Sequence, residues 1–362
     1  MFSSLVTRVA LSVPAPLALP AAGIDISAGS VKCLQFRREH GHLAVGGYTQ
    51  VPFDDGVFVD GDIEKEDVVI EVLRSLRLKQ RVRYAVASLS ERKSYLYQTI
   101  AHPDQKQLKE VVEFDLEAHV PLPPSEMYFD YQVVRTTPEG TILAVTAFAR
   151  RVIETYERVF RAAGIVLRGL EIESHALARA ALSENDRNRV VMVVDMGKRS
   201  TRIAIGDHGV VSYTATVDFG GDMLTQALMK RFTLDVEKAE EMKNARGFLL
   251  GADNKDVVEA VASSISVLRD ELVRHITFWN SSTGTEVPRD SVARVIIAGG
   301  NANMTGLAEH LSGALLLPVV VADVWQNIFS LDHSIPHMPM HESLEFAPAI
   351  GLAKKYALNT PW

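Results

Sequence analysis

A repeated turn constrains this chain more than any other feature. Gly23-Ile24-Asp25-Ile26-Ser27-Ala28-Gly29-Ser30-Val31-Lys32 and Val193-Val194-Asp195-Met196-Gly197-Lys198-Arg199-Ser200-Thr201 each set one acid between an apolar run and small turn residues. A Gly-Gly turn follows at Gly299-Gly300. The 362 residues are enough for two domains with a substantial core, and the two turns divide them into similar halves. Backbone N–H groups in such turns bind phosphate oxygens, and an acid beside them can hold Mg²⁺ through water. The pair therefore implies a nucleotide cleft between two lobes.

The balance of 38 Lys and Arg against 45 Asp and Glu gives a net charge of −7, which argues against a nucleic-acid partner. Cys33 is alone, so an internal disulfide and a Cys-based metal site are excluded and a reducing, cytoplasmic compartment is expected. No run reaches the roughly 20 apolar residues of a membrane span. Residues 9–22, behind Arg8, superficially resemble a signal peptide, but Pro14, Pro16 and Pro20 would break a helix there. Residues 1–22 are read instead as a flexible or membrane-surface-touching leader.

Alternating and continuous apolar runs predict strands at 24–26, 31–36, 42–51, 84–88, 95–100, 127–135, 141–148 and 165–172. Helices are expected at 68–78, from Pro103-Asp104 to Pro121, at 152–163 ending on Gly164, and at 175–182. The second half reads as strands 190–195, 202–207 and 210–217, helices 222–232, 236–246 and 256–279, a strand 295–298, a helix 306–316 and a strand 319–321. Residues 330–343, rich in His, Pro and Met, read as a loop, and 348–355 as a closing helix.

Three further segments carry chemistry. Phe219-Gly220-Gly221-Asp222 precedes a helix, and glycines there form an anion-accepting terminus or a tight turn with Asp222 as N-cap. Glu240 and Lys243 share a helix face and, without other context, read as a surface ion pair. Ile297-Ala298-Gly299-Gly300-Asn301-Ala302-Asn303-Met304 leaves a buried-type strand and opens a helix. There is no G-x-G-x-x-G, P-loop, H-E-x-x-H or G-x-S-x-G pattern, so dinucleotide, P-loop, zinc-protease and hydrolase readings lack support.

The order of these pieces resembles the actin-like ATPase superfamily, which includes actin, DnaK-type chaperones, FtsA and sugar kinases. Within it the chain resembles the PilM family of type IV pilus assembly over about residues 23–358. The resemblance rests on Met1-Phe2-Ser3, on the Asp25 turn, and above all on Phe114-Asp115-Leu116-Glu117-Ala118-His119-Val120-Pro121-Leu122-Pro123 with Phe129-Asp130-Tyr131-Gln132-Val133. It implies an α/β, two-lobed actin-like (duplicated ribonuclease-H-like) fold with a small α+β subdomain inserted in the first lobe. The first lobe would be 23–81 and 174–189 with the closing helix 346–358, the insertion 82–173, and the second lobe 190–345.

The resemblance also implies a site. Asp25 and Asp195 would approach Mg²⁺ through water. Ser27, Ala28, Gly29 and Ser30, with Lys32, and Gly197, Lys198, Arg199, Ser200 and Thr201 would wrap the phosphates of ATP. Gly220 and Gly221 would flank the phosphate tail, Glu240 and Lys243 the ribose and adenine, and Gly299, Gly300, Asn301 and Met304 the base. Two positions depart from the family pattern: Ser27 stands where the first turn usually has Gly, and Asn301 replaces a third glycine. The implied function is an ATP-binding scaffold that docks the cytoplasmic tail of a PilN-like inner-membrane protein, contacts other pilus assembly proteins, reaches the membrane through its partners and can self-associate. A small-molecule kinase and an FtsA-like filament protein are the alternatives. The residues single out no group to orient an attacking water, so slow or absent hydrolysis is expected.

Overall fold

The structure is a computed structural model and describes residues 21–39, 42–105, 107–249, 251, 254–281, 287–329 and 335–357. The expected leader lies outside these residues up to position 20, and Ala22 already begins the first strand.

The first half of the chain runs β1 (Ala22–Ser27), β2 (Ser30–Glu39), β3 (His42–Pro52), the short pair β4 (Phe58–Val59) and β5 (Asp62–Ile63), α1 (Glu66–Lys79), β6 (Tyr84–Leu89), β7 (Ser94–Ala101), α2 (Leu108–His119), β8 (Met127–Thr137), β9 (Gly140–Ala149), α3 (Arg150–Ala163), β10 (Val166–Ile172) and α4 (Glu173–Ala181). The second half runs β11 (Val190–Met196), β12 (Thr201–Asp207), β13 (Val210–Val217), α5 (Gly221–Phe232), α6 (Val236–Arg246), α7 (Lys255–Ser281), β14 (Val292–Ala298), α8 (Leu307–Leu315), β15 (Val319–Val321), α9 (Met340–Glu345) and α10 (Ala347–Ala357).

The two main sheets have one plan. In the first, β1 is antiparallel to β2 and parallel to β6, β2 is antiparallel to β3, and β6 is parallel to β10. In the second, β11, β12, β13, β14 and β15 repeat those places and directions. Each lobe thus has its acid-bearing strand at the centre, where it is buried on both faces (Ala22 to Ile26 in β1, all of β11). Asp25 lies opposite Lys32, and Asp195 opposite Arg202, so the acids hold the same place in equivalent hairpins.

Helices follow from apolar spacing of three and four. α1 buries Val69, Leu73 and Leu76, each contributing about 1.5–3 kcal/mol. α3 buries Val152, Tyr156, Val159, Phe160 and Ala163, then stops at Gly164, whose left-handed φ of 74° suits a residue without Cβ. α4 and α10 pack on each other between the lobes, α10 against β1 and β2 and α4 against β11, β12 and β13. Both contacts need glycine. A Cβ on Gly23 would overlap the Ala349 carbonyl, and one on Gly351 the Ala176 carbonyl.

The structure differs from the sequence reading at three places. β6 and β10, expected in the insertion 82–173, belong to the first sheet, β6 beside β1 and β10 beside β6, so the separate sheet β7-β9-β8 with α2 over it spans 94–149. α2 starts at Leu108 rather than at Pro103, because His102 to Gln105 closes a turn (Gln105 N–H to His102 C=O, 2.9 Å; His102 N–H to Gln105 Oε1, 2.8 Å). The end of the expected loop 330–343 is helical: residues 340–345 form α9, which brings Glu345 towards the interlobe cleft.

Candidate functional site: the interlobe cleft

A cavity of about 540 Å³ lies between the two hairpin turns. The first lobe contributes Ser27, Ala28, Gly29, Ser30 and Lys32. The second contributes Asp195, Gly197, Lys198, Arg199, Ser200, Gly221, Glu240, Lys243, Gly299, Gly300 and Asn301. Most residues expected at the site therefore meet in one place, although up to 275 positions separate them in sequence.

Four do not line the cavity. Asp25 is fully buried just behind it, its Oδ1 accepting from Ser88 Oγ at 2.7 Å. Thr201, expected to wrap phosphate, is fully buried and donates to Phe219 C=O at 2.8 Å, so its hydroxyl is committed to the sheet. Gly220 is pressed against the backbone of Lys198 and Arg199, where a Cβ would overlap it. Met304, expected over the base, is 2% exposed and belongs to the second lobe's core.

The N-terminus of α5 also differs from expectation. Gly221 N–H donates to Gly197 C=O (3.1 Å) and Asp222 N–H to Lys198 C=O (2.9 Å). These first-turn donors, which a phosphate could have used, hold the second hairpin instead. Gly220 is the N-cap, and Asp222 lies within the first turn.

Asn301, read as a departure from a third glycine, has a positive role. It is 5% exposed, and its Nδ2 donates to Met196 C=O (3.1 Å) and Gly197 C=O (2.8 Å). It thereby pins the hairpin turn of the second lobe. Gly221 leaves it room, since a Cβ there would overlap its carboxamide. The Glu240–Lys243 pair is not a surface pair. Lys243 is 3% exposed, with Nζ 2.7 Å from Glu240 Oε2 and 3.1 Å from Thr225 Oγ1.

Sequence reasoning missed a buried charge cluster behind the turns. Arg202 Nη2 lies 2.5 Å from Asp195 Oδ2 and 2.6 Å from Glu173 Oε1 at the start of α4. Glu91, in the 3-10 turn after β6, accepts from Ser174 N–H at 2.5 Å. Burial pushes Glu173 and Glu91 above the ordinary carboxylate range, with Arg202 opposing it. Arg202 stays charged: burial works against its charge, and Glu173, Asp195, Glu91 and Asp25 outweigh it. One signal was legible. Each hairpin carries a base seven residues after its acid, Lys32 after Asp25 and Arg202 after Asp195. Nothing marked Glu173, because an acid at a helix start is ordinary.

The cluster fits a divalent cation held through water. Asp25 Oδ2 is buried without a hydrogen-bond partner, and Mg²⁺ is an ion that keeps several waters. Among the described residues no three His, Cys, Asp or Glu groups are set to bind a metal directly.

A side cavity of about 160 Å³ shares Ser27, Arg199 and Arg202 with the cleft. Through Glu91, Arg92 and Thr216 it adjoins a third cavity, of about 440 Å³, between β7, His119 of α2 and β13. Both strands are sheet edges, each paired on one side. The His119 ring stacks on Tyr97 with centroids 4.1 Å apart. Among the described residues no helix is long and apolar enough to cross a membrane.

Comparison with known proteins agrees with this architecture. A structure of a PilM-PilN type IV pilus biogenesis complex superposes with a TM-score of 0.72 at 23% identity, covering 94% of this chain and 99% of that one. MreB5 of Spiroplasma citri bound to ADP gives a TM-score of 0.53 at 12% identity, covering 87% and 94%. The cell division protein FtsA of Bacillus subtilis (strain 168) is 24% identical over 207 residues, 52% of this chain and 46% of that protein. The chain spans about half the length of the first FtsA relatives it matches. The family model for the type IV pilus assembly protein PilM matches residues 23–356, across both lobes and the insertion. The chain is a member of the type IV pilus assembly protein PilM family, with the actin-like fold.

Proposed function

We propose that the interlobe cleft binds ATP with Mg²⁺, and that the chain is a cytoplasmic scaffold of pilus assembly which docks the N-terminal tail of a PilN-like inner-membrane protein. One observation carries the nucleotide reading: equivalent hairpin turns, one from each lobe, face a single cavity of a size usual for small-ligand sites. The turns would hold the phosphates, with Lys32 as a cation on the first wall. Glu240, Lys243 and Asn244 line the side where the nucleoside would lie. Asp25 and Asp195 would hold the Mg²⁺ waters, and the bound ion would offset phosphate charge. The MreB5 structures with ADP and with AMPPNP belong to the same fold and support this reading.

The tail reading rests on the cavity between β7, α2 and β13. An extended peptide can add to an exposed sheet edge, with side chains entering adjacent pockets. The PilM-PilN complex supports the choice of partner. Because this cavity adjoins the cleft through Glu91, Arg92 and Thr216, closure around nucleotide would reshape it, and each ligand would change the other's affinity by the same factor. Recruitment to the membrane would then come through the partner.

Titration calorimetry of the purified chain with ATP·Mg²⁺, with and without a synthetic tail peptide, tests both parts. The reading predicts saturable ATP binding, at least about tenfold weaker in Asp195→Ala, and reciprocal coupling between ATP and peptide. No heat from ATP, or an unchanged affinity in Asp195→Ala, would contradict the nucleotide part. Peptide that fails to bind under either condition would contradict the docking part.

A further inference from the structure

Arg202 gathers acids from separate parts of the chain. Asp25 comes from β1, Glu91 from the turn after β6, Glu173 from the start of α4, and Asp195 from β11. The guanidinium is in contact with Asp195 and Glu173 at 2.5 and 2.6 Å, and the charges of Glu91 and Asp25 also act on it. It is paired with Asp195, one of the two acids that would hold Mg²⁺ waters, and it also lines the cleft. Asp25 is fully buried, and its Oδ2 has no partner in this arrangement. The site therefore already holds a cation of its own.

We infer that Arg202 is the resident cation of the cleft: its guanidinium and a hydrated divalent metal are alternatives for the same carboxylates, so the nucleotide-free protein resists metal and ATP binding depends little on it. The physical basis is charge and geometry. A guanidinium is permanently charged, and one of its nitrogens, Nη2, lies against Asp195 and Glu173 at once. A metal entering beside it meets like charge at short range, and one replacing it must break both ion pairs. Without Arg202, four buried acids would face one another with no cation between them, and protons or a divalent ion would take its place. The part concerning ATP rests on the nucleotide reading above. The part concerning metal does not.

The test is Mn²⁺ binding by the full nucleotide-free chain, read from the electron paramagnetic resonance of free Mn²⁺ and from the shift of Tm on adding MnCl₂. Wild type is compared with Arg202→Gln and with the charge-balanced pair Arg202→Gln/Glu173→Gln, which removes one acid with the base and carries the test if the single variant fails to fold. Both are expected to bind Mn²⁺ at least about tenfold more tightly than wild type and to gain Tm with it. Equal Mn²⁺ affinity in all three proteins overturns the inference. A second arm titrates mant-ATP in EDTA and in Mg²⁺. Wild type is expected to differ by less than about threefold, and Arg202→Gln to lose more than about tenfold in EDTA. A wild type that binds mant-ATP strictly with Mg²⁺ also overturns it. If mant-ATP binds under neither condition the nucleotide reading fails, and the Mn²⁺ comparison still decides the role of Arg202.

Discussion

Replacing Asn301 by Ala isolates the brace beneath the second lobe's hairpin turn. The side chain is buried and makes two hydrogen bonds, at 3.1 and 2.8 Å, to the carbonyls of Met196 and Gly197. Each is worth about 1 kcal/mol, and the Met196 carbonyl would be left buried without this donor, so the loss is about 2–3 kcal/mol. If the freed turn must be reordered when phosphate binds, most of this cost reappears in affinity, about 10–30-fold in Kd. Urea unfolding followed by near-ultraviolet circular dichroism gives the first quantity, and calorimetry with ATP·Mg²⁺ the second. Asn301→Asp sharpens the test. It preserves the shape but turns an acceptor towards two carbonyls, so at neutral pH it should be less stable than Asn301→Ala. Its native pKa would be raised, so the deficit should shrink as pH falls towards about 4 and the carboxyl takes up a proton. Stability of Asn301→Ala within about 0.5 kcal/mol of wild type would show that the brace carries no energy and would refute the reasoning.

Gly351→Ala should separate α10 from α4, because its Cβ would overlap the Ala176 carbonyl; a loss of about 1–3 kcal/mol is expected, read as a lower Tm, and an unchanged Tm would contradict the close crossing. His175 is half-buried on α4. Burial, with Arg179 and Lys355, lowers its pKa to about 4 against the opposing charge of Glu171. The folded pKa is depressed, so the unfolded chain takes up the proton first: this contribution is present above about pH 6.5 and is lost as pH falls to about 4, roughly 3 kcal/mol in all, and His175→Leu should flatten that slope in urea midpoints. Burial pushes the Cys33 thiol up to about 12, so it should resist iodoacetamide in the native protein and react in urea; modification at native rates equal to those in urea would contradict its burial.

The sequence made the local features legible. The hairpins around Asp25 and Asp195, the helix stop at Gly164 and the amphipathic run of α7 all depend on neighbours a few residues apart. Within α7 the buried face takes Val257, Val261, Ile265, Leu268, Leu272, His275 and Trp279. What was not legible depends on distant pairing. β6 joins β1, and β10 joins β6, by parallel ladders across long separations, and no local pattern says which sheet a short apolar strand will enter. The same limit hid the site's second layer. Thr201 reads as a free hydroxyl until Phe219 is seen to occupy it, and Asn301 reads as a missing glycine until its contacts with Met196 and Gly197 appear. Glu173 gains meaning when α4 carries it to Arg202.

A crystal structure of the chain grown with saturating AMPPNP and Mg²⁺ tests the central claim most directly. The account predicts the triphosphate between residues 27–30 and 197–200, with the nucleoside towards Lys243. An empty cleft, or a nucleotide held elsewhere on the molecule, would contradict it.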